Sequence, residues 1–234
     1  MFPALAAHTA FLLNYGIHYD RAPIAHVFEA FVFLSWCMSA VFAFMNATGK
    51  AAKLSKYFVP VIMLFFALGF AGMLRSHFEV TAVRGWLVTH VVMILLAYGL
   101  FFFNFVSNVL YLFKERQLKR HSSSVFHQAL PALDTLDTMS LRSLVTGFAI
   151  MSFGVLLGFL YTNQPEARHW LADGNVLFGL ASWLCYGVIL HVRVNVHYRG
   201  RGVLWLSVAS FVFMIGSFVS VNLLHPSHWH SFTS

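Results

Sequence analysis

Long runs of apolar residues, separated by short stretches that collect the charged side chains, dominate the pattern of this chain. A run of about 18 or more apolar residues is long enough to cross the ~30 Å hydrocarbon layer of a bilayer. The pattern therefore predicts an all-α, polytopic membrane protein with about six full transmembrane helices and a short or truncated N-terminal one. The predicted full spans cover about residues 27–46, 57–74, 86–113, 143–162, 175–195 and 203–224, and the short one covers about residues 2–17.

One long segment, about residues 114–142, interrupts this succession of apolar runs. Its leucines recur at spacings near three and four, with Asp134 and Asp137 between them, and a basic cluster precedes them. This pattern favours an amphipathic helix at the cytoplasmic interface, the alternative being a charged connector that only orients the next helix. No change in composition marks a linker, so residues 1–234 are predicted to form a single integral-membrane domain.

The composition agrees with a membrane protein, because 59% of the residues are hydrophobic and only 10% are charged. Soluble domains carry about 25% charged residues. The net charge of +7 lies mainly in short loops between apolar runs, where it orients the helices, so no nucleic-acid partner is expected. Cys37 and Cys185 each lie inside an apolar run and do not form the pattern of a disulfide or a redox pair.

The loop charges also predict the orientation, because cytoplasmic loops are enriched in lysine and arginine. The C-terminus is then extracytoplasmic, and the N-terminus is cytoplasmic if the first span crosses. The loops of the basic side hold Lys50, Lys53, Lys56, Lys114, Arg116, Lys119, Arg120, Arg142, Arg193, Arg199 and Arg201, and those of the other side hold Arg21, Arg75, Arg84 and Arg168.

Thirteen histidines are many for so apolar a chain, and four of them have informative positions. His8 and His191 lie within apolar runs, while His90 and the C-terminal cluster that contains His230 lie at the predicted outer face. Two pairs at two depths fit two bis-imidazole haem sites, because haem iron accepts axial histidines. For any single histidine, a hydrogen bond between helices is the alternative. Zinc is disfavoured, since a closed site needs about four nitrogen or sulfur ligands.

Four segments of the chain resemble the cytochrome c assembly proteins, the membrane haem handlers of the CcsA/ResC type with HemX-like relatives. The most specific is "LPALDTLDTMSLRSLVTGF", which resembles the family pattern LPxLDxLDxxxxRxxxxGF. "RAPIAHVFEAFVFLSW" resembles a Pro–x5–Glu–x6–Trp motif, here Pro23, Glu29 and Trp36. "WLVTHVVMILLAY" and the C-terminal third, which ends on "VNLLHPSHWHSF", carry the remaining likeness.

The resemblance implies two haem positions, with haem b as the cofactor. His8 and His191 match the family's membrane histidines, and His90 and His230 match its outer histidines, so all four are expected to be axial ligands of haem iron. In "PEARHWLADGNV", Trp170 and Asp173 match the family's tryptophan-rich haem-binding loop. The other tryptophans of that loop are replaced, so this WWD signature is degenerate.

The resemblance further implies haem binding and transport across the membrane for cytochrome c maturation, as the membrane subunit of a system II cytochrome c synthetase. Its expected partners are the second synthetase subunit, an apocytochrome c with a CxxCH motif, and the lipid bilayer of a bacterial inner or plasma membrane or a thylakoid-like membrane. If the chain is enzymatic, it belongs to a cytochrome c haem lyase, with no catalytic side chain of its own. A HemX-like regulator of haem biosynthesis, which the altered loop favours, and a di-haem electron-transfer protein are the alternatives.

Overall fold

All regular secondary structure in the described part of the chain is α-helical. The structure, a computed structural model, describes residues 2–24, 26–47, 54–75, 85–119, 130–161, 174–196 and 200–224. This confirms the predicted all-α class. The helices are α1 (Phe2–Tyr19), α2 (Val27–Asn46), α3 (Ser55–Arg75), α4 (Gly85–Lys119), α5 (Leu133–Tyr161), α6 (Gly174–Val194) and α7 (Arg201–Leu224).

The helices α2 to α7 are long and apolar enough to cross a membrane. They confirm the prediction of six full spans preceded by a shorter helix. The short helix is α1, which has 18 residues and includes His8, Thr9 and Asn14. The longest is α4, whose candidate span of 33 residues exceeds the ~20 that a bilayer requires. A helix of this length is expected either to project past the surface of the bilayer or to tilt within it.

The helix α4 lies at the centre of the bundle, where it packs against α2, α5 and α7. Its most extensive partner is α5, and other closely packed pairs are α2 with α3, α5 with α6, α6 with α7, and α1 with α2. Large aromatic side chains fill the core. The ring of Phe101 on α4, for example, stacks on Tyr186 of α6 at a centroid distance of 3.7 Å.

A buried polar network crosses the otherwise apolar core and joins α4, α5 and α7. Asn104 donates from Nδ2 to the backbone oxygen and the Oγ of Ser140, both at 2.9 Å, and accepts from Ser207 Oγ at 2.5 Å. Ser140 Oγ in turn donates to Asn108 at 2.6 Å. Because lipid offers no hydrogen bonds, each of these polar groups depends on the others for a partner, which fixes the register of the three helices.

Arg193, which the sequence analysis assigned to a loop, lies instead within α6 and points into this network. Its side chain is 2% exposed; Nη1 donates to Ser140 Oγ at 2.9 Å and Nη2 to the Asp137 carboxylate. Lys114 is also buried at the end of α4, where its ammonium donates to the backbone oxygen of Pro131 at 2.6 Å. Both charges have internal partners, and so they fix helix contacts rather than mark a solvated loop.

The described parts of the 114–142 connector are the ends of two long helices. Residues 114–119 complete α4, and residues 133–142 form the first turns of α5, which continues without interruption into its apolar stretch. Asp134 and Asp137 therefore lie on a helix that extends into the bundle. The position of this segment at the cytoplasmic interface stays a prediction, as does the single domain over residues 1–234.

The predicted orientation can be tested with reporter fusions. A reporter placed after Arg120 is expected to behave as cytoplasmic, and one at the C-terminus as extracytoplasmic, because the basic loops favour the cytoplasmic side. Alkaline phosphatase and green fluorescent protein fusions give opposite signals on the two sides and serve as mutual controls. The opposite pair of signals would place His90 at the cytoplasmic face and contradict the predicted orientation.

Candidate functional site

His90 is held six residues into α4 by a hydrogen bond to α5. Its Nδ1 lies 2.6 Å from the backbone oxygen of Gly154. A carbonyl oxygen can only accept, so Nδ1 carries the hydrogen of the neutral ring. The lone pair then resides on Nε2, which is the arrangement that metal-ligating histidines usually have.

Two glycines of α5 make this close contact possible. A Cβ on Gly158 would lie 2.9 Å from Cε1 and 3.2 Å from Nδ1 of His90, and a Cβ on Gly154 would lie 2.8 Å from Ile94 Cδ1. Real Cβ atoms avoid contacts below 3.0 Å, so a larger residue would displace the neighbouring side chain. Small residues spaced four apart let two membrane helices approach in this way.

His8 is half-buried on α1, with its ring edge against Phe66 of α3 at a centroid distance of 5.0 Å. Its Nε2 is buried and makes no hydrogen bond of good geometry among the described residues, although the backbone of Val32 on α2 lies within reach of the ring. The next residue, Thr9, accepts a hydrogen bond from Trp36 Nε1 at 2.8 Å, which fixes this turn of α1 against α2. Since any bond of the Nε2 atom to Val32 is weak, His8 stays a candidate ligand.

A buried ion pair fixes the other end of α1. Arg21 donates from both terminal nitrogens to the two carboxylate oxygens of Glu29, at 2.7 and 2.6 Å, and Tyr15 donates to the same carboxylate at 2.7 Å. The hydrogen bond to Glu29 holds the pKa of Arg21 above its ordinary value. Trp36 thus anchors α1 at the turn next to His8, and Glu29 anchors it at its C-terminal end. This gives two residues of the Pro–x5–Glu–x6–Trp segment a structural role.

His191 lies on the surface of the bundle, three residues before the end of α6. It lines a cleft of about 330 Å³ with Val145 of α5 and with Gly187 and Leu190 of α6. A Cβ on Gly187, one helical turn before His191, would lie 3.2 Å from Cε2 of Phe148, so the ring of Phe148 packs closely against this turn of α6. The side-chain amide nitrogen of Asn195 lies 2.8 Å from His191 Nδ1.

The structure separates the candidate ligands that it describes. Gly158, beside His90, and Val145, beside His191, are about 20 Å apart along α5 at ~1.5 Å per residue. No hydrogen bond or ring contact among the described residues joins His8 to His191, since His8 packs against α3 and His191 faces the cleft on α6. The other predicted site residues, His230, Trp170 and Asp173, lie outside the described residues.

Several residues that shape these positions are not among the site residues predicted from the sequence. Gly154 and Gly158 form a G-x-x-x-G pattern in an apolar helix, a known signal for close helix packing. Asn195 follows His191 by four positions, the spacing at which helical side chains meet. The pairing of Arg193 with Asp137 had no local signal, because the two residues belong to different helices.

The fold and the histidine positions define a polytopic membrane protein with candidate metal-ligating imidazoles on several of its helices. Residues 24–228 match the model of the cytochrome c assembly protein family. Because this match covers more than half of the chain, the chain belongs to that family.

Individual relatives support the same assignment. The chain is 24% identical over 226 residues to "Cytochrome c biogenesis protein CcsA" of Prochlorococcus marinus strain AS9601, covering 86% of this chain and 73% of that protein. It is 24% identical over 254 residues to the CcsA protein of Saccharum officinarum, covering 92% and 79%. With its candidate spans, the chain is thus an integral multi-pass membrane protein with a role in cytochrome c maturation.

Proposed function

We propose that the chain binds haem b and carries it across the membrane for cytochrome c maturation, as the membrane subunit of a cytochrome c synthetase. The position of His90 carries the proposal. Its Nδ1 hydrogen bond to Gly154 leaves Nε2 as the iron-binding nitrogen, and Gly158 provides room for the ring. His8, with its buried Nε2, and His191, at the cleft, supply further imidazoles on other helices.

In this proposal the chain positions haem and supplies its axial ligands. Haem is received on the cytoplasmic side by His8 and His191 and is passed to His90 and His230 on the outer side, where Trp170 and Asp173 contribute to the outer position. The apocytochrome is the partner protein that carries the CxxCH motif, and its two thiols then add to the vinyl groups of haem. The second synthetase subunit completes the enzyme, and the protein contributes orientation and iron ligation.

The proposal is tested by titrating the purified protein with haemin and recording its absorption spectrum. We expect the absorption spectrum of bis-histidine haem. His90→Ala or His230→Ala is expected to remove the part of this spectrum that comes from the outer position. His8→Ala or His191→Ala is expected to remove the part that comes from the other position. Each replacement removes one axial ligand and is expected to weaken binding at its own position by at least tenfold. His18→Ala serves as the matched control, because His18 is an exposed histidine in the last turn of α1.

The four variants also distinguish the possible outcomes. Equal haemin binding by His90→Ala, His191→Ala and the wild type would refute the proposed ligands. Loss of binding in His18→Ala to the same degree would show that any histidine replacement disturbs the protein. Functional complementation of a strain that lacks its own synthetase subunit then tests whether bound haem reaches the apocytochrome.

A HemX-like regulator of haem biosynthesis is the second candidate, because the tryptophan-rich loop signature is degenerate. Residues 174–176 follow Asp173 of that loop directly in the sequence and form the first turn of α6. A regulator would bind haem without restoring cytochrome c formation in the complementation strain, and it would change the level of haem-synthesis enzymes. A di-haem electron-transfer protein would instead reduce and reoxidise both haems reversibly with a quinol and an acceptor.

A further inference from the structure

The side chains on either side of His191 differ sharply in their surroundings. Residues two apart on an α-helix point in nearly opposite directions, about 200° around the axis. Arg193 therefore points into the buried network, where Ser140 and Asp137 hold it, while His191 faces the cleft. This arrangement anchors the last turn of α6 on α5 and leaves the imidazole ring accessible.

Asn195 binds His191 twice. Its backbone N–H donates to the His191 carbonyl at 2.8 Å, which continues the helical hydrogen bonding past Val194, and its side-chain nitrogen lies 2.8 Å from Nδ1. An amide nitrogen can only donate, so Nδ1 accepts this bond and Nε2 carries the ring hydrogen. Neither ring nitrogen of neutral His191 then has a lone pair free to bind iron.

His90 differs from His191 in this respect. Its Nδ1 faces the backbone carbonyl of Gly154, which can only accept, so the lone pair of the neutral ring is on Nε2. The Asn195 amide, in contrast, can present either its nitrogen or its oxygen to Nδ1. When the oxygen faces the ring, Nδ1 carries the hydrogen and Nε2 becomes available as a ligand.

We infer that Asn195 is the positioning residue of His191 and makes it a switchable iron ligand, in contrast to the fixed ligand His90. This inference rests on the proposed function. The side-chain amide turns its oxygen towards Nδ1 when haem binds, and it turns back when haem leaves. Haem is thereby held less firmly at His191 than at His90, which favours its onward transfer.

The inference is tested by haemin titration in a His90→Ala background, which removes the fixed ligand. Asn195→Asp, whose carboxylate only accepts, is expected to bind haemin about tenfold more tightly than Asn195, within the range found for partners of metal-bound histidines. Asn195→Leu, which removes the partner altogether, is expected to bind about tenfold more weakly. Val194→Asp is the control for simple attraction between charges, because it places the same negative charge in the same cleft at a different position. Its haemin affinity is expected to stay within twofold of that of the protein with Val194.

A second readout requires no haem. In haem-free protein with 15N-labelled histidine, the wild-type His191 ring is expected to carry its hydrogen on Nε2, and the Asn195→Asp ring on Nδ1; His191→Gln assigns the signal. Equal haemin affinities of Asn195→Asp and Asn195→Leu would overturn the inference. The same His191 tautomer in the wild type and in Asn195→Asp would also overturn it. Either result leaves the proposed function intact as long as His191→Ala still weakens haemin binding. If His191→Ala has no effect, the role of His191 in the proposed function fails instead.

Discussion

Replacing Arg193 with alanine is expected to destabilise the bundle by about 3–5 kcal/mol, the range observed when one partner of a buried ion pair is removed. The variant removes the Arg193 donor from the Asp137 carboxylate and one of the two side-chain donors from Ser140 Oγ, which keeps its bond from Asn104. Ser140 also binds Asn104 and Asn108, so the loss extends to the contacts between α4 and α5. Unfolding in mixed micelles with increasing sodium dodecyl sulfate, followed by tryptophan fluorescence, measures the change.

Arg201→Ala is the matched control. Arg201 pairs with Glu115 at 3.2 Å, but its side chain is 44% exposed, and exposed pairs contribute about 0–1 kcal/mol. The double variant Arg193→Met with Asp137→Leu is expected to regain most of the stability, because it removes both charges and keeps the volume. Equal destabilisation by Arg193→Ala and Arg201→Ala would show that the network contributes little to stability.

The helices themselves were predictable because hydrophobic length is a local property. The predicted span of 175–195 corresponds to α6, Gly174–Val194, and the predicted span of 86–113 lies within α4, Gly85–Lys119. The error concerned charges. Arg193 and Lys114 were assigned to solvated loops, because a sequence window does not show which partner a long side chain can reach after the helices have packed.

The candidate site was predicted as residue types but not as an arrangement. The resemblance selected His8, His90 and His191, and the structure adds what each one contacts. The partners of His90 lie on another helix, more than sixty residues later in the chain, so no local pattern connects them. The polar partner of His191 lies only four residues away, and its role depends on the orientation of an amide, which sequence spacing does not specify.

Replacing Gly158 with alanine is expected to weaken haemin binding at His90 by about 10–100-fold, the range found when the supporting contacts of a metal ligand are disrupted. The added Cβ would lie 2.9 Å from Cε1 of His90 and 3.2 Å from Nδ1, so the ring must move away from α5. That movement stretches the 2.6 Å hydrogen bond to Gly154, which fixes the ligating form of the ring. Titration in a His191→Ala background isolates this effect.

The stability of the same variant separates a displaced ligand from a damaged fold. Alanine is the better helix former by about 1 kcal/mol, so Gly158→Ala is expected to lose haemin affinity while its resistance to unfolding stays close to that of the wild type. Gly216→Ala is the matched control, because nothing lies within 4 Å of a Cβ at Gly216 on α7, and it is expected to retain full affinity.

If His90 is the ligand that Gly158 makes room for, adding Gly158→Ala to His90→Ala causes no further loss, since contacting residues that act together are not additive. A full additional loss in that double variant would show that Gly158 acts on haem binding through some residue other than His90.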